Sequence, residues 1–524
     1  MLPPVLRSWL PFLFWPRPSR TLLAGEFWAG LTVGLMLIPQ GVAYASLAGM
    51  PLVAGIYASL VPALVAVLWS SSTRLGVGPT ALTSLLVGAS LTGMAAPGSA
   101  HWVLLAAWLA LMAGAVQLLM GLARFGWLLN LVTSPVLSGF TQAAALLIIA
   151  SQLPALAGLH GEGLEHVLKG AARIDWRALA FGLGSIAALV LLKRWRAQFP
   201  APIVVIGASG LLSWWLGFAA TGGAVVGALP EGLPALHWPG TPSWHDFGML
   251  VMPALTITLV SFLETASSAK VENQRGNTRW DENQDLVGQG LAKISAALCG
   301  AFPTSASFSR SAINLYAGAR SGWATLFAIA IVLVALLRCM PALFHVPQAV
   351  LAALVITAVT GLLRPAMLAR LWRVSKVEAA ICAVTFALTL LTAPRLYWGV
   401  LAGLVMSLVY FLYQRLHPRI IEVGLHPDGS LRDRHLWHLP PLAMQTYALR
   451  MDAELDFASA QALENAVLDY LAQHPDTRHV CLFAQPINRI DVTGVEVFEH
   501  LRALLERQGV VLHVSGLKLP VDKV

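Results

Sequence analysis

Two stretches decide the fold: Val77-Gly78-Pro79-Thr80-Ala81-Leu82-Thr83-Ser84 and Pro303-Thr304-Ser305-Ala306-Ser307-Phe308-Ser309-Arg310-Ser311. Each is a short break rich in Gly, Pro, Ser or Thr that opens a run of helix-forming residues. Each therefore predicts a helix N-terminus partway through a bilayer. Non-helical backbone at that depth is tolerated only where it lines a cavity or is buried in protein. Free N–H groups and the macrodipole place roughly half a positive charge at each helix start. With Arg310 added, about two positive charges converge on one place. Such a place holds an anion.

The rest of the chain is built for lipid. It has 524 residues, 57% of them hydrophobic and only 11% charged, with a mean hydropathy of +0.69. Ordinary soluble domains are nearer a quarter charged. Apolar stretches long enough to cross a hydrocarbon core, about 17–25 residues each, recur from Glu26 to Tyr413. They predict about fourteen spans, some short or broken. These begin near Phe27, Leu52, Pro79, Trp102, Trp127, Trp176, Pro202, Gly248, Gln284, Phe308, Gly322, Val346, Val377 and Leu396. Trp15-Pro16-Arg17-Pro18 interrupts the early apolar run, so the N-terminus does not read as a cleaved secretory signal. The first span serves as its own targeting signal.

Lys and Arg placement sets orientation. With a cytoplasmic N-terminus, the inner loops hold Arg74, Arg124, Lys193, Arg194, Arg196, Lys270, Arg275, Arg279, Arg320, Arg364, Arg370, Arg373, Lys376, Arg415 and Arg419. The outer loops hold Lys169, Arg173, Arg177 and Arg395, with Arg338 at an outer boundary. A bias of roughly three to one favours cytoplasmic N- and C-termini in a cell membrane. The net charge of +8 is then mostly cytoplasmic surface facing anionic lipid, with no call for nucleic acid. Cys299, Cys339, Cys382 and Cys481 show no CxxC pairing. The first three sit in apolar segments and read as core residues. No cofactor or metal motif is present.

Residues 1–25 read as a cytoplasmic lead-in, 26–415 as the membrane body and 416–440 as a linker with an initial hairpin. Residues 441–524 read as a small α/β unit. There, Tyr447–Asp452, Val480–Phe483 and Val510–Val514 alternate as strands with helices at Ala458–Leu471 and Val495–Leu505. Within the body, about seven spans precede the polar loop Thr221–Asp246 and about seven follow. The third span of each half opens on a break, and an odd number per half forces opposite orientations. Interrupted segments at matching places in two halves point to a transport site.

Pro79 is expected at the first helical position, followed by Thr80, Thr83 and Ser84. Ser305, Ser307 and Ser309 serve either as ligand donors or as helix caps. Arg310 serves the anion, pairs with a buried carboxylate or snorkels; an arginine at that depth is functional by default. In Ile38-Pro39-Gln40-Gly41-Val42-Ala43-Tyr44, Pro39 and Gly41 are expected to kink or break the first helix. Gln40 and Tyr44 then face the cavity, unless Gln40 only bonds neighbouring backbone. Glu264 is the outstanding carboxylate inside an apolar span, either a proton carrier or a static partner of Arg310. The charged stretch Lys270–Asp285 reads as a solvated loop.

At these residues the chain resembles the SulP family of sulfate permeases and related anion transporters. The resemblance is carried by Leu37–Ala45, Gly49–Ser59, Gly78-Pro79-Thr80, Asn283–Gly290 and Phe302–Ala319. It implies an α-helical multi-pass fold of fourteen segments in two inverted repeats of seven, forming core and gate domains. The third and tenth helices would meet tip to tip at the anion. It places Gln40, Tyr44, Ser309 and Arg310 at that site, with Gly78, Thr80, Ala81, Ser307 and Phe308 at the two helix tips. Glu264 matches an acid associated with proton coupling, and a homodimer is the family's habit. The tail resembles a STAS domain, including Arg489-Ile490-Asp491-Val492-Thr493-Gly494. Related signalling domains phosphorylate a hydroxyl near Thr493, although Val492 replaces the small hydroxyl residue expected before it. The tail also stops short of the usual final helix, as a shortened version would.

The leading expectation is proton-coupled uptake of sulfate or another small anion by alternating access. Bicarbonate with sodium (recruiting Glu264, Thr265 and Thr304), dicarboxylates, exchange, or an anion channel stay open. A signalling role for the tail is a further class. No nucleophile–base pair or metal cluster marks an enzyme.

Overall fold

The computed structural model describes residues 10–159, 174–195, 201–230, 232–276 and 280–522. Four loop cations used above for orientation, Lys169, Arg173, Arg196 and Arg279, lie outside them. The chain divides into two compact units between Val405 and Met406.

In chain order the body contains α1 (Arg20–Leu47), α2 (Leu52–Tyr57), α3 (Val61–Trp69), β1 (Val77–Gly78), α4 (Ala81–Leu91), α5 (Ala100–Leu122), α6 (Ser134–Leu156), α7 (Trp176–Trp195), α8 (Ala201–Trp215), α9 (Trp244–Gly276), α10 (Glu282–Leu298), β2 (Ser305–Ala306), α11 (Phe308–Tyr316), α12 (Trp323–Arg338), α13 (Gln348–Thr360), α14 (Pro365–Val374), α15 (Lys376–Leu391) and α16 (Tyr397–Leu416). Among the described residues, seven spans are long and apolar enough to cross a membrane, with α2 and α3 forming one of them. Four shorter apolar helices, α4, α8, α12 and α13, join them. With α10, α11 and α15 they make the fourteen segments. The ten-residue α14, carrying Arg370 and Arg373, is an additional helix within what reads as an inner loop. The fifth span starts later than Trp127, because a 3-10 turn over Phe125–Leu131 precedes Ser134.

Several local expectations change. α1 runs through Pro39 as one helix, so the sequence does not break there. α4 begins at Ala81 with Thr80 as its N-cap, so Pro79 lies before the cap and outside the helix. The stretch Lys270–Asp285 is no solvated loop: α9 continues to Gly276, and Glu272 and Asp285 are both buried. Cys339 is exposed just beyond α12, while Cys299 and Cys382 are buried as expected.

α1 and α2 cross where Gly41 meets Gly55. A Cβ on Gly55 would stand 1.8 Å from the Gly41 carbonyl oxygen, so only a missing side chain allows the contact. This crossing fixes the helix that carries Gln40 and Tyr44.

The second unit is a five-stranded sheet with two packed helices. Its elements are β3 (Ile420–Leu425), β4 (Leu431–Asp433), β5 (Thr446–Met451), α17 (Ala460–Gln473), β6 (His479–Phe483), α18 (Val492–Arg507), β7 (Val511–Ser515) and the short α19 (Leu519–Asp522). The strand order is β4-β3-β5-β6-β7. β5, β6 and β7 are parallel, and β3 is antiparallel to both neighbours. Residues read as a linker therefore form the hairpin that extends the sheet. Leu449, Met451, Val480 and Leu482 pack with Leu463, Val467, Leu501 and Leu505 of the helices. Asp491 caps α18 by accepting from the Gly494 N–H at 2.8 Å, and also accepts from Phe457 N–H at 3.0 Å. These bonds hold its carboxyl below the usual carboxylate range. Thr493 is exposed in the first turn of that helix.

Two outcomes test this architecture. Gly55→Leu is expected to remove the α1–α2 contact and cost more than about 2 kcal/mol, read as loss of the monodisperse peak in detergent chromatography. A tail beginning at residue 441 loses buried Ile421 and Val423, worth about 1.5–3 kcal/mol each. Its urea midpoint is expected well below that of a tail beginning at residue 418; equal midpoints would contradict the hairpin's place in the sheet.

Candidate functional site

The two sequence breaks meet as a miniature antiparallel sheet. Val77 pairs with Ala306 and Gly78 with Ser305. A helix begins three residues past the end of β1 and two past the end of β2, so pairing the strands brings two helix starts together. Thr80 accepts from the Thr83 N–H at 3.3 Å and caps α4. Ser307 accepts from the Arg310 N–H at 3.5 Å and caps α11. Thr80 and Ser307 are thus caps, and Ser305 donates to the Ser261 carbonyl of α9 at 3.0 Å. Ser309 and Phe308 are exposed, and the Ser309 hydroxyl lies 3.1 Å from that of Ser307.

Arg310 is 1% exposed and joins the two breaks. Its Nη1 donates to the Pro79 carbonyl at 2.8 Å and to Gln40 Oε1 at 3.3 Å. Its Nη2 donates to the Gly76 carbonyl at 3.4 Å. Nε is buried without a partner. Neither carboxylate pairing nor snorkelling describes this residue: backbone carbonyls hold it. Those carbonyls orient the guanidinium without neutralising its full charge, which remains between the two helix starts.

Gln40 therefore reaches the site through Arg310, and Tyr44, one turn further along α1, is 6% exposed. Tyr44 interacts electrostatically with both Arg310 and Glu264. Glu264, half-buried on α9, accepts from the Thr80 hydroxyl at 3.0 Å through Oε2. The acid is thus tied to the cap of α4 with no direct Arg310 pair among the described bonds. Gly78 and Ala81 are buried on either side of Pro79 and Thr80. Thr265 bonds back to the Ser261 carbonyl of its own helix at 2.9 Å, while the Thr304 hydroxyl is buried without a partner.

A second network anchors the chain leading into β1. Asp285 accepts from Ser71 Oγ and Ser72 N–H, each at 3.0 Å, and from Trp280 Nε1 at 2.7 Å. Glu272 accepts from Arg74 Nε at 2.9 Å. Asn314 of α11 donates to the Arg74 carbonyl at 2.9 Å, and Ser311 accepts from the Gly76 N–H at 3.0 Å. These carboxylates were illegible as site supports because they lie among other charges. Lys293, on α10, escaped notice as well. It is fully buried and donates to Gln117 Oε1 at 2.8 Å; a lone lysine in an otherwise apolar span was the available signal.

The sulfate permease family profile matches residues 23–385, and a STAS domain profile matches residues 443–524. A probable sulfate transporter of Mycobacterium tuberculosis is 32% identical over 510 residues, covering 95% of this chain and 90% of that protein. The sodium-independent sulfate anion transporter of Bos taurus is 30% identical over 568 residues, covering 99% and 88%. Among solved structures, the murine solute carrier 26 member A9 anion transporter, in an inward-facing state, superposes with a TM-score of 0.88. That match has 20% identity and covers 100% of this chain and 90% of that one. The fold is accordingly the multi-pass helical one of fourteen segments in two inverted seven-segment repeats, core and gate, followed by a STAS domain. This chain belongs to the sulfate permease family of anion transporters.

Proposed function

We propose that the protein is a secondary active transporter that takes up sulfate, or a closely similar small oxyanion, together with a proton by alternating access. One observation carries the reading. The carboxylate of Glu264 and the guanidinium of Arg310 are both tied to residues 79–80, at the start of α4. An anion held between the helix tips would lie beside both groups.

The caps leave the first N–H groups of each helix pointing toward that space. Together with Arg310 they complement about two negative charges. Ser309, exposed beside Ser307, supplies a further hydroxyl donor, and Tyr44 and Gln40 close the α1 side. An ionised Glu264 lowers the positive field by about one charge, which weakens dianion binding. A protonated Glu264 restores that field. Proton and anion then favour each other's binding by the same factor, and neither crosses efficiently alone. The name of the bovine relative, a sodium-independent sulfate anion transporter, is in keeping with a proton in place of sodium. In this reading the termini are cytoplasmic, the working unit is a homodimer, and the STAS domain regulates or joins partners.

Purified protein in liposomes is expected to accumulate labelled sulfate when an inward proton gradient is imposed, with no gain from a sodium gradient. Glu264→Gln is expected to lose gradient-driven accumulation while keeping sulfate–sulfate exchange; unchanged proton dependence would remove the acid from the mechanism. Arg310→Lys keeps the charge but cannot reach three acceptors at once. Its KM for sulfate is expected to rise at least about tenfold, and an unchanged KM would separate the guanidinium from the site.

A further inference from the structure

Lys293 is a buried cation of the membrane body that the reading above leaves unused. It lies in the last two turns of α10, which crosses α5 where Gly114 and Gly290 meet. A Cβ on Gly290 would stand 2.6 Å from the Leu118 nitrogen, and one on Gly114 would stand 2.8 Å from the Gly290 carbonyl oxygen. That close approach brings Lys293 against Gln117, one turn along α5 from Gly114. Lys293 and Gln117 are both fully buried.

The ammonium has an unusual set of neighbours. Its one hydrogen bond among the described residues goes to a neutral amide, Gln117 Oε1 at 2.8 Å. No carboxylate among those residues forms an ion pair with it. Gln117 in turn donates to Ser261 Oγ at 3.0 Å and to the Thr258 carbonyl at 3.1 Å. The Ser261 carbonyl accepts from Ser305, the β2 residue paired with Gly78. Lys293 is therefore three hydrogen bonds from the strand pair that positions both helix starts. It also interacts electrostatically with Glu264. A cation buried without a counter-ion is strongly unfavourable unless something it serves brings the opposite charge.

We propose that Lys293 is a positioning and charge-selecting residue of the anion site, a second fixed cation held off the substrate by Gln117 and Ser261. This rests on the transport reading. In the empty site its charge offsets Glu264. When Glu264 is protonated, the field of Lys293 adds to that of Arg310 and the helix tips, favouring a dianion over a monoanion. The hydrogen-bonded chain through Ser261 also couples the lysine to the register of β2. A sodium ion has no role in this scheme, because a fixed ammonium already supplies the cation near Glu264.

The test is competition in liposomes bearing full-length protein. Labelled sulfate uptake is competed by unlabelled sulfate, a dianion, and by nitrate, a monoanion of similar hydrogen-bonding character. Lys293→Gln is expected to weaken inhibition by sulfate about tenfold more than inhibition by nitrate, and Lys293→Arg is expected to restore most of the wild-type ratio. A purely structural lysine would lower activity with the ratio unchanged, and that result overturns the proposal. If Lys293→Gln does not reach the membrane folded, Gln117→Glu decides, because a carboxylate against the ammonium cancels its charge. The same loss of sulfate preference is expected there, and an unchanged ratio overturns the proposal. Wild-type protein that takes up no sulfate under any gradient overturns the transport reading itself, and this inference with it.

Discussion

The strand pair between residues 77–78 and 305–306 is the constraint on which the candidate site depends. Its two residues per strand are too few to be stable alone, since even longer isolated hairpins are marginal in water. It persists because Arg310 donates across it to the carbonyls of Pro79 and Gly76, and because Ser305 is fastened to α9. The bond to Pro79 satisfies a backbone carbonyl that the break before α4 would otherwise leave bare in a water-poor interior. The buried positive charge and the bonds that hold the backbone are thus supplied by one side chain.

Around this pair the polar groups divide by distance. The innermost are the helix caps Thr80 and Ser307, whose hydroxyls occupy orphan N–H groups and leave the remaining ones directed outward. Glu264 and Gln40 come next, each one bond from a cap or from Arg310. Further out, Asp285, Glu272 and Arg74 fix the incoming segment, and Gln117 with Lys293 fixes α9 from behind. Both oxygens of Asp285 are taken by backbone and side-chain donors, whereas Glu272 gives one oxygen to Arg74 and keeps the other buried without a hydrogen bond among the described residues.

Much of this was legible in the sequence, and the reasons are physical. Span count followed from apolar length, and the site followed from Gly/Pro/Ser breaks that no lipid-facing helix tolerates. The tail's strand–helix alternation gave its elements to within a few residues. What escaped were facts about partners. Whether Arg310 would meet a carboxylate or a carbonyl depends on backbone more than two hundred positions away in the chain. The buried state of Glu272 and Asp285 was hidden because a run of charges reads as a wet loop until neighbouring serines are known to enclose it. The start of α4 was misjudged by two residues, since Thr80 outcompetes Pro79 as the boundary by capping.

The pairing of β1 with β2 also has a consequence for biogenesis. Pro79 and Arg310 are separated by 231 positions. At a synthesis rate of about 5–20 residues per second, roughly 10–50 s pass between the appearance of the first strand and its complement. During that interval the earlier half carries an unmated strand edge and bare carbonyls at membrane depth. Insertion of the nascent chain therefore has to shelter that segment, in a protein-lined or hydrated vestibule, until the ribosome delivers its mate.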